Sequence, residues 1–324
     1  MSTEPAAGST PAASTGPRGP VAPAALDATA WWGTEAVCVR FGGRLALDRV
    51  SFRARPGQVS AVVGGDGAGR TTLLRCLAGA LAPSEGTVRR PPADQIGYLP
   101  AGSGTYPDLS VAENLAFRAA VYGLPAGLAK ERCAEFLDQA GLGAAAGRPA
   151  GRLSGGMRQK LGVIAAMLHG PVLLVLDEPT TGVDPVSRAD LWRLIARATA
   201  GGAAIVLATS YLDEAERTSH VLALDAGREL AAGTPEQIVA AMPGTVRMAA
   251  TRPTGAAAGR AWRRDARWRV WDPGGAAGPG GEAVSADLQD AVTVAALTRE
   301  LAASAGPPRW RARDDCATEK GEPC

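Results

Sequence analysis

Val59-Ser-Ala-Val-Val63 runs directly into Gly64-Gly65-Asp66-Gly67-Ala68-Gly69-Arg70-Thr71-Thr72, and this transition decides the fold. The first segment is small and apolar and ends at glycines, so it reads as a buried strand; Arg70 to Ala80 reads as the helix that follows. Gly64 to Thr71 fits the phosphate-loop pattern G-x-x-x-x-G-K-[ST] with arginine in the lysine place. Glycine N–H groups curl around phosphate oxygens, the helix N-terminus adds its positive end, and Thr71 is the expected Mg²⁺ ligand. A glycine-rich loop with the wrong cation also suits a plain tight turn. Its place between a buried strand and a helix favours the phosphate grip.

Further along, Val172-Leu-Leu-Val-Leu176 ends in Asp177-Glu178-Pro179. Such a strand buries itself and releases Asp177 at its carboxyl end to hold Mg²⁺, while Glu178 is placed to polarise an attacking water. Leu153-Ser154-Gly155-Gly156-Met157 opens a helix running to Leu168, where a serine hydroxyl and bare glycine N–H groups form a second anion site suited to a γ-phosphate. In isolation it is an N-cap; at this spacing from the acidic pair it is the decisive signal. Another helix, Val186 to Ala200, precedes a strand at Ala204 to Ala208. Strands alternating with helices predict an α/β fold with a mostly parallel sheet, whose ligands bind at the carboxyl ends of the strands. Short β-like runs, Ala36 to Phe41 and Val50 to Arg53, precede this unit. Ser110 to about Leu142 reads as a helical insert opened by the capping box Ser110-Val-Ala-Glu113.

Composition narrows the function. Lys+Arg 34 against Asp+Glu 32 gives a formal charge of +2, too balanced for broad nucleic-acid binding, so no nucleic-acid partner is expected. The cysteines, Cys38, Cys76, Cys133, Cys316 and Cys324, form no CxxC pair and suggest neither a disulfide framework nor a zinc site. No apolar run approaches the roughly 18 residues of a membrane span. Residues 1–30, rich in Ala and Pro, read as a disordered tail without a secretory leader. His169 and His220 lie outside every motif and read as structural. Arg263, Arg264, Arg267 and Arg269, interleaved with Trp262, Trp268 and Trp271, read as a solvated strand face over a tryptophan-rich packing side rather than a base-stacking surface. An amphipathic helix is expected from Ser285 to Ala302.

The phosphate loop, acidic pair and Leu153–Met157 together resemble the ATP-binding cassette (ABC) family, over roughly Ala36 to Met242. The resemblance implies a P-loop NTPase fold with an antiparallel β subdomain and a helical subdomain at about 101–165. It also implies a nucleotide-binding domain at 31–242, with 243–324 a small appendage or partly disordered tail. It implies ATP and Mg²⁺ as ligands, Phe41 stacking on adenine, Leu153 to Met157 as the signature segment, and Gly182-Val-Asp184-Pro185 as the loop crossing a cassette dimer. Partners would be a second cassette, identical or not, and transmembrane permease subunits, at the cytoplasmic face of the membrane. Tyr106-Pro-Asp-Leu-Ser-Val-Ala-Glu-Asn114, Asp177 to Pro185 and Tyr211-Leu-Asp-Glu-Ala-Glu216 look most like exporters of the ABC-2 type.

Three positions depart from the family: Arg70 stands for lysine, Ala101 for glutamine and Ser210 for histidine. Arginine keeps the charge on a bulkier planar fork, and serine is shorter than imidazole and uncharged. These losses predict slow turnover at the chain's own site. Three function classes follow: a transport ATPase subunit, a regulatory cassette lending its intact signature to a hydrolytic partner, and a cassette acting on ribosomes or DNA. The last normally needs two cassettes or long coiled coils, which this chain lacks.

Overall fold

The computed structural model describes residues 30–274 and 281–304. The expected tail, apart from Ala30, lies outside the described residues, as does the chain beyond residue 304 with Cys316 and Cys324. The described residues form two compact units: one runs from residue 30 to Ala241 with Asp287–Gln289, the other comprises the described residues of 242–286 and 290–304.

The first unit contains β1 (Trp32–Phe41), β2 (Arg44–Ala54), β3 (Val59–Val63), α1 (Arg70–Leu77), β4 (Glu85–Arg89), β5 (Ile96–Leu99), α2 (Val111–Val121) and α3 (Ala126–Gln139). It continues with α4 (Gly155–Met167), β6 (Leu173–Asp177), α5 (Pro185–Ala200), β7 (Ala204–Thr209), α6 (Leu212–Ala215), β8 (His220–Asp225), β9 (Arg228–Gly233) and α7 (Pro235–Ala240). The central sheet has the order β5-β6-β7-β3-β8-β9, parallel except for β9. β6 and β7 are buried along their whole length, as an unbroken apolar strand covered on both faces must be. β2-β1-β4 form a separate antiparallel sheet. Leu73, Leu74 and Leu77 of α1 fill the space between the two sheets, against Val39, Leu47 and Val50 on one side and Val62, Val175 and Val206 on the other. β1 and β2 are longer than their apolar runs in the sequence. Register shifts between Thr34 and Val37, and again up to Arg40, break the alternation that would have revealed them.

The expected capping box holds α2: the Ser110 hydroxyl accepts from the Glu113 N–H at 3.2 Å and the Glu113 carboxylate accepts from the Ser110 N–H at 2.7 Å. One residue on, buried Asn114 fixes the preceding loop. Its amide donates to the carbonyls of Tyr106, Leu109 and Ser110, and its oxygen accepts from the Tyr106 N–H at 2.8 Å.

The second unit is an antiparallel sheet of β10 (Thr245–Ala249), β11 (Ala261–Arg264), β12 (Arg267–Asp272) and β13 (Glu282–Val284), in the order β11-β12-β10-β13, with helix α8 (Leu288–Ser304). Its core joins Val246, Trp271 and Val294 to Trp262 and Leu297. The register corrects the expected division into an arginine face and a tryptophan face. Trp262 lies opposite Arg269 and Arg264 opposite Arg267, so Trp262, Arg264, Arg269 and Trp271 share one side. Arg264 and Arg269 both pair with Asp290 of α8, whose carboxylate is fully buried. A buried charge survives only with such partners, so these arginines belong to the packing. Trp268, on the other side, lies under the Arg252 guanidinium, 5.6 Å from its ring centroid.

His169, just past α4, stacks on Tyr122 with ring centroids 3.6 Å apart. Burial pushes its pKa down to about 4 from 6.5, and the Arg132 and Arg118 charges push the same way. The folded state therefore holds the neutral ring. Its stabilising contribution is full above about pH 6.5 and is lost as the pH falls toward 4. His169→Phe should remove about 3 kcal/mol of acid destabilisation across that window, measured as the pH dependence of the urea unfolding midpoint.

Candidate nucleotide-binding site

Three neighbouring parallel strands end together. Val63 of β3 is level with Thr209 of β7, Asp177 of β6 is level with Ala208, and the Glu178 N–H extends the ladder to the Ala208 carbonyl at 3.0 Å. The phosphate loop, the acidic pair and Ser210 therefore emerge side by side. Glycine is required at two loop positions. Gly64 has φ +153° and a Cβ there would stand 2.3 Å from the Leu224 carbonyl oxygen; Gly69 has φ +105° and a Cβ would meet the Ala46 oxygen at 2.8 Å. The loop is thus packed against β2 and β8 and presents its open side to a cavity of about 580 Å³. Gly65, Asp66, Gly67, Ala68, Gly69, Arg70, Thr71 and Thr72 line one side of it; Phe41, Arg44, Leu45 and Ala46 of the β1–β2 hairpin line the other. Phe41 is 49% exposed, an aromatic face without a covering neighbour that suits a stacked base. Arg44, Leu45, Ala46 and Ala226 were not singled out in the sequence, since nothing in a hairpin marks them as lining a cavity.

Two carboxylates side by side have opposite fates. Asp177 is 1% exposed and both its oxygens lack a hydrogen-bond partner. Burial raises its pKa and the Glu178 charge adds to this, while the Thr71 hydroxyl and the Arg70 and Arg75 charges oppose it. An orphaned buried carboxylate beside a threonine hydroxyl is a donor set that fits Mg²⁺, a hard cation taking oxygen ligands. Glu178, with φ +52°, turns its carboxylate to the phosphate loop. There Arg70 forms an ion pair with one oxygen, while the other accepts from Thr181 Oγ1 at 2.7 Å and from Ser210 Oγ at 3.4 Å. Arg70 also stands 3.8 Å from Asp66. The arginine thus lies folded onto the acidic pair, and the serine at position 210 reaches Glu178.

The signature residues stand apart. Ser154 caps α4, accepting from the Met157 N–H at 3.2 Å; Gly155 is exposed, Leu153 and Gly156 are buried, and none of Leu153 to Met157 lines the cavity. Asp184 caps α5, accepting from the Val186 and Ser187 N–H groups at 3.0 Å, which hold its carboxyl below the usual range. Ala101 is exposed in the loop after β5 and contributes nothing to the cavity lining. Thr181 and Gln159, which donates to the Glu178 carbonyl at 3.3 Å, were not foreseen; their roles depend on a turn that the sequence does not display.

A parallel α/β sheet with a phosphate-gripping loop, a metal-ready aspartate and an adjacent glutamate defines a nucleotide-binding cassette. Comparison with known proteins agrees. The family model described as ABC transporter matches residues 47–181. The Nod factor export ATP-binding protein I of Cupriavidus metallidurans is 36% identical over 210 residues, covering 61% of this chain and 69% of that protein. The probable multidrug ABC transporter ATP-binding protein YbhF of Escherichia coli K12 is 41% identical over 198 residues, covering 58% of this chain; the match spans only 34% of YbhF. A solved ATP-binding subunit of an ABC transporter superposes with a TM-score of 0.60 at 27% identity, covering 64% of this chain and 92% of that one. This chain belongs to the ABC transporter ATP-binding family. Among the described residues no helix is long and apolar enough to cross a membrane.

Asp177→Asn should raise stability in chelator by about 1 kcal/mol, because it removes a desolvated charge, and should abolish the extra stabilisation that Mg²⁺ gives to the nucleotide complex. Thermal unfolding with ATP, with and without Mg²⁺, reads both effects.

Proposed function

We propose that this chain is the ATP-binding subunit of an exporter. It binds Mg-ATP where its phosphate loop meets the signature segment of a second cassette, and it couples hydrolysis to transport by separate membrane-spanning subunits. One observation carries this reading: Arg70 and Thr71 line the phosphate-loop cavity and reach the acidic pair behind it, Arg70 pairing with Glu178 and Thr71 lying against Asp177, whereas Leu153 to Met157 neither line the cavity nor touch Arg70 or Thr71. A phosphate site built in two separated halves is completed by a second molecule. Thr71 and Asp177 would hold Mg²⁺, which supplies charge to the phosphate oxygens. Phe41 would seat the base, Gly64 to Thr72 the phosphates, and Glu178 would take the proton of the attacking water. Residues 31–242 form the nucleotide-binding domain in this reading, with 101–165 its helical subdomain and 243–324 an appendage. The names of the relatives, multidrug and Nod factor export proteins, support export, and a permease partner would hold the chain at the cytoplasmic face of the membrane.

The Arg70–Glu178 ion pair favours a second reading, in which this subunit's own site turns over slowly and its signature serves a non-identical partner. The glutamate needed as base is engaged on both oxygens, and at position 210 a serine replaces the family's histidine.

Steady-state ATPase activity at saturating Mg-ATP separates the two. Glu178→Gln should lower kcat by about 10²-fold or more, and Arg70→Lys should raise it by about tenfold, with Ser210→His adding to the gain. A wild type already fast, with Arg70→Lys no faster, removes the slow-site reading. A tagged chain that recovers only copies of itself removes the heterodimer.

A further inference from the structure

We propose that Glu214, to which the sequence gives no role beyond membership of the Tyr211–Glu216 segment, is a positioning residue that holds both hydroxyl donors of Glu178 in place. The inference rests on the nucleotide-hydrolysing reading of the cavity. Glu214 lies on α6 and is 1% exposed. One of its oxygens accepts from Thr180 Oγ1 and from Thr209 Oγ1, each at 2.9 Å. The next residue after each threonine carries a hydroxyl to Glu178: Thr181 at 2.7 Å and Ser210 at 3.4 Å. Two adjacent hydroxyl pairs therefore face two carboxylates, the inner pair fixed by Glu214 and the outer pair serving Glu178. The loops after β6 and β7 are tied at one buried point, and the orientation of Glu178 is set from behind.

The second oxygen of Glu214 draws in a third element. It lies 3.7 Å from Arg188 Nε on α5, the helix capped by Asp184, and the Arg188 guanidinium lies over the Tyr211 ring at 4.8 Å. The helix leading from the Asp184 loop thus brings its cation to face the same carboxylate, at ion-pair rather than hydrogen-bond distance. A buried carboxylate is costly, and core packing needs only an apolar side chain of this size. Its geometry accounts for its use here: one oxygen gathers two hydroxyl donors while the other faces a cation. Glutamine has one acceptor oxygen: kept for the two hydroxyls, it sets an NH₂ group against the Arg188 cation, and turned to Arg188, it takes the shared acceptor away from the threonines, so neither orientation preserves the tie.

The test uses the full chain and the variants Thr180→Val, Thr209→Val, Thr209→Ser and Glu214→Gln. Valine keeps the shape of threonine and removes the hydroxyl; serine keeps the hydroxyl. Amide hydrogen exchange should respond across the tie: Thr209→Val should speed exchange in residues 178–184, and Thr180→Val in residues 209–212. Thr209→Val should also lower kcat at least tenfold while KM and the ADP Kd stay within twofold, with Thr209→Ser restoring most of the rate. Glu214→Gln should lower kcat with the same unchanged binding. Exchange confined to the mutated loop, or unchanged kcat in Thr209→Val and Glu214→Gln, overturns the role of Glu214 and leaves the nucleotide reading intact. A wild type that neither binds nor hydrolyses nucleotide overturns that reading, and with it the catalytic purpose of the tie. If the wild type binds but turns over too slowly to follow, the exchange pattern decides.

Discussion

Burying β6 and β7 completely, and β3 except at Val59, is the constraint on which the rest of the site depends. A parallel strand covered on both faces has no room for unpaired charge along its length, so the chemistry is displaced to its carboxyl end. The register then determines which end groups meet. Because Asp177 is level with Ala208 and Val63 with Thr209, the phosphate loop, the acidic pair and the hydroxyls after β7 appear in one row. The small antiparallel sheet contributes from outside: its β1–β2 hairpin closes the cavity with Phe41, and α1 wedges the two sheets together through Leu73, Leu74 and Leu77.

Within that row the charges are unequally shared. Arg70 is spent on Glu178, and Asp177 is left buried with no hydrogen-bond partner. In the proposed reading the metal goes to Asp177, the carboxylate left without a partner. The same arrangement sets the phosphates of a nucleotide in competition with Glu178 for the guanidinium. Arginine strengthens that competition, since its planar fork grips a carboxylate in a fixed geometry where an ammonium offers a freely turning point charge. A loop with lysine at this place would release its partner more readily. For the reading in which this site turns over slowly, that grip supplies a physical reason beyond the residue identities.

What was legible in the sequence was local. The strand before Gly64, the strand before Asp177 and the caps at Ser110 and Ser154 each depend on residues within a few positions of one another, and each stands where its pattern put it. What was not legible depends on distant partners. Arg264 and Arg269 look like surface residues until Asp290 of α8 lies against them, and the Trp262–Trp271 stretch contains no sign of that acid. Glu214 reads as one acidic residue in an acidic run; only the meeting of two loops makes it a shared acceptor. The bulged edges of β1 hid part of that strand for a related reason, because alternation is lost wherever the register shifts.

Ser154, Asp184 and Gly156 each have a place in the fold as well as in the proposed site. Ser154 and Asp184 are helix caps, so folding alone would retain them. Gly156 is buried, and a Cβ there would press on the Ser187 hydroxyl at 3.0 Å and the Asp184 carboxylate at 3.3 Å, so packing explains that glycine as well. Gly155 is different. Its φ is not positive, it is exposed, and a Cβ would meet only the Gly182 carbonyl oxygen at an ordinary 3.7 Å. Glycine inside a helix costs up to about 1 kcal/mol relative to alanine, and among the described residues none packs against Gly155 closely enough to require it. A bare N–H at an exposed helix start, kept where the chain itself does not require it, supports an anion that approaches from another molecule.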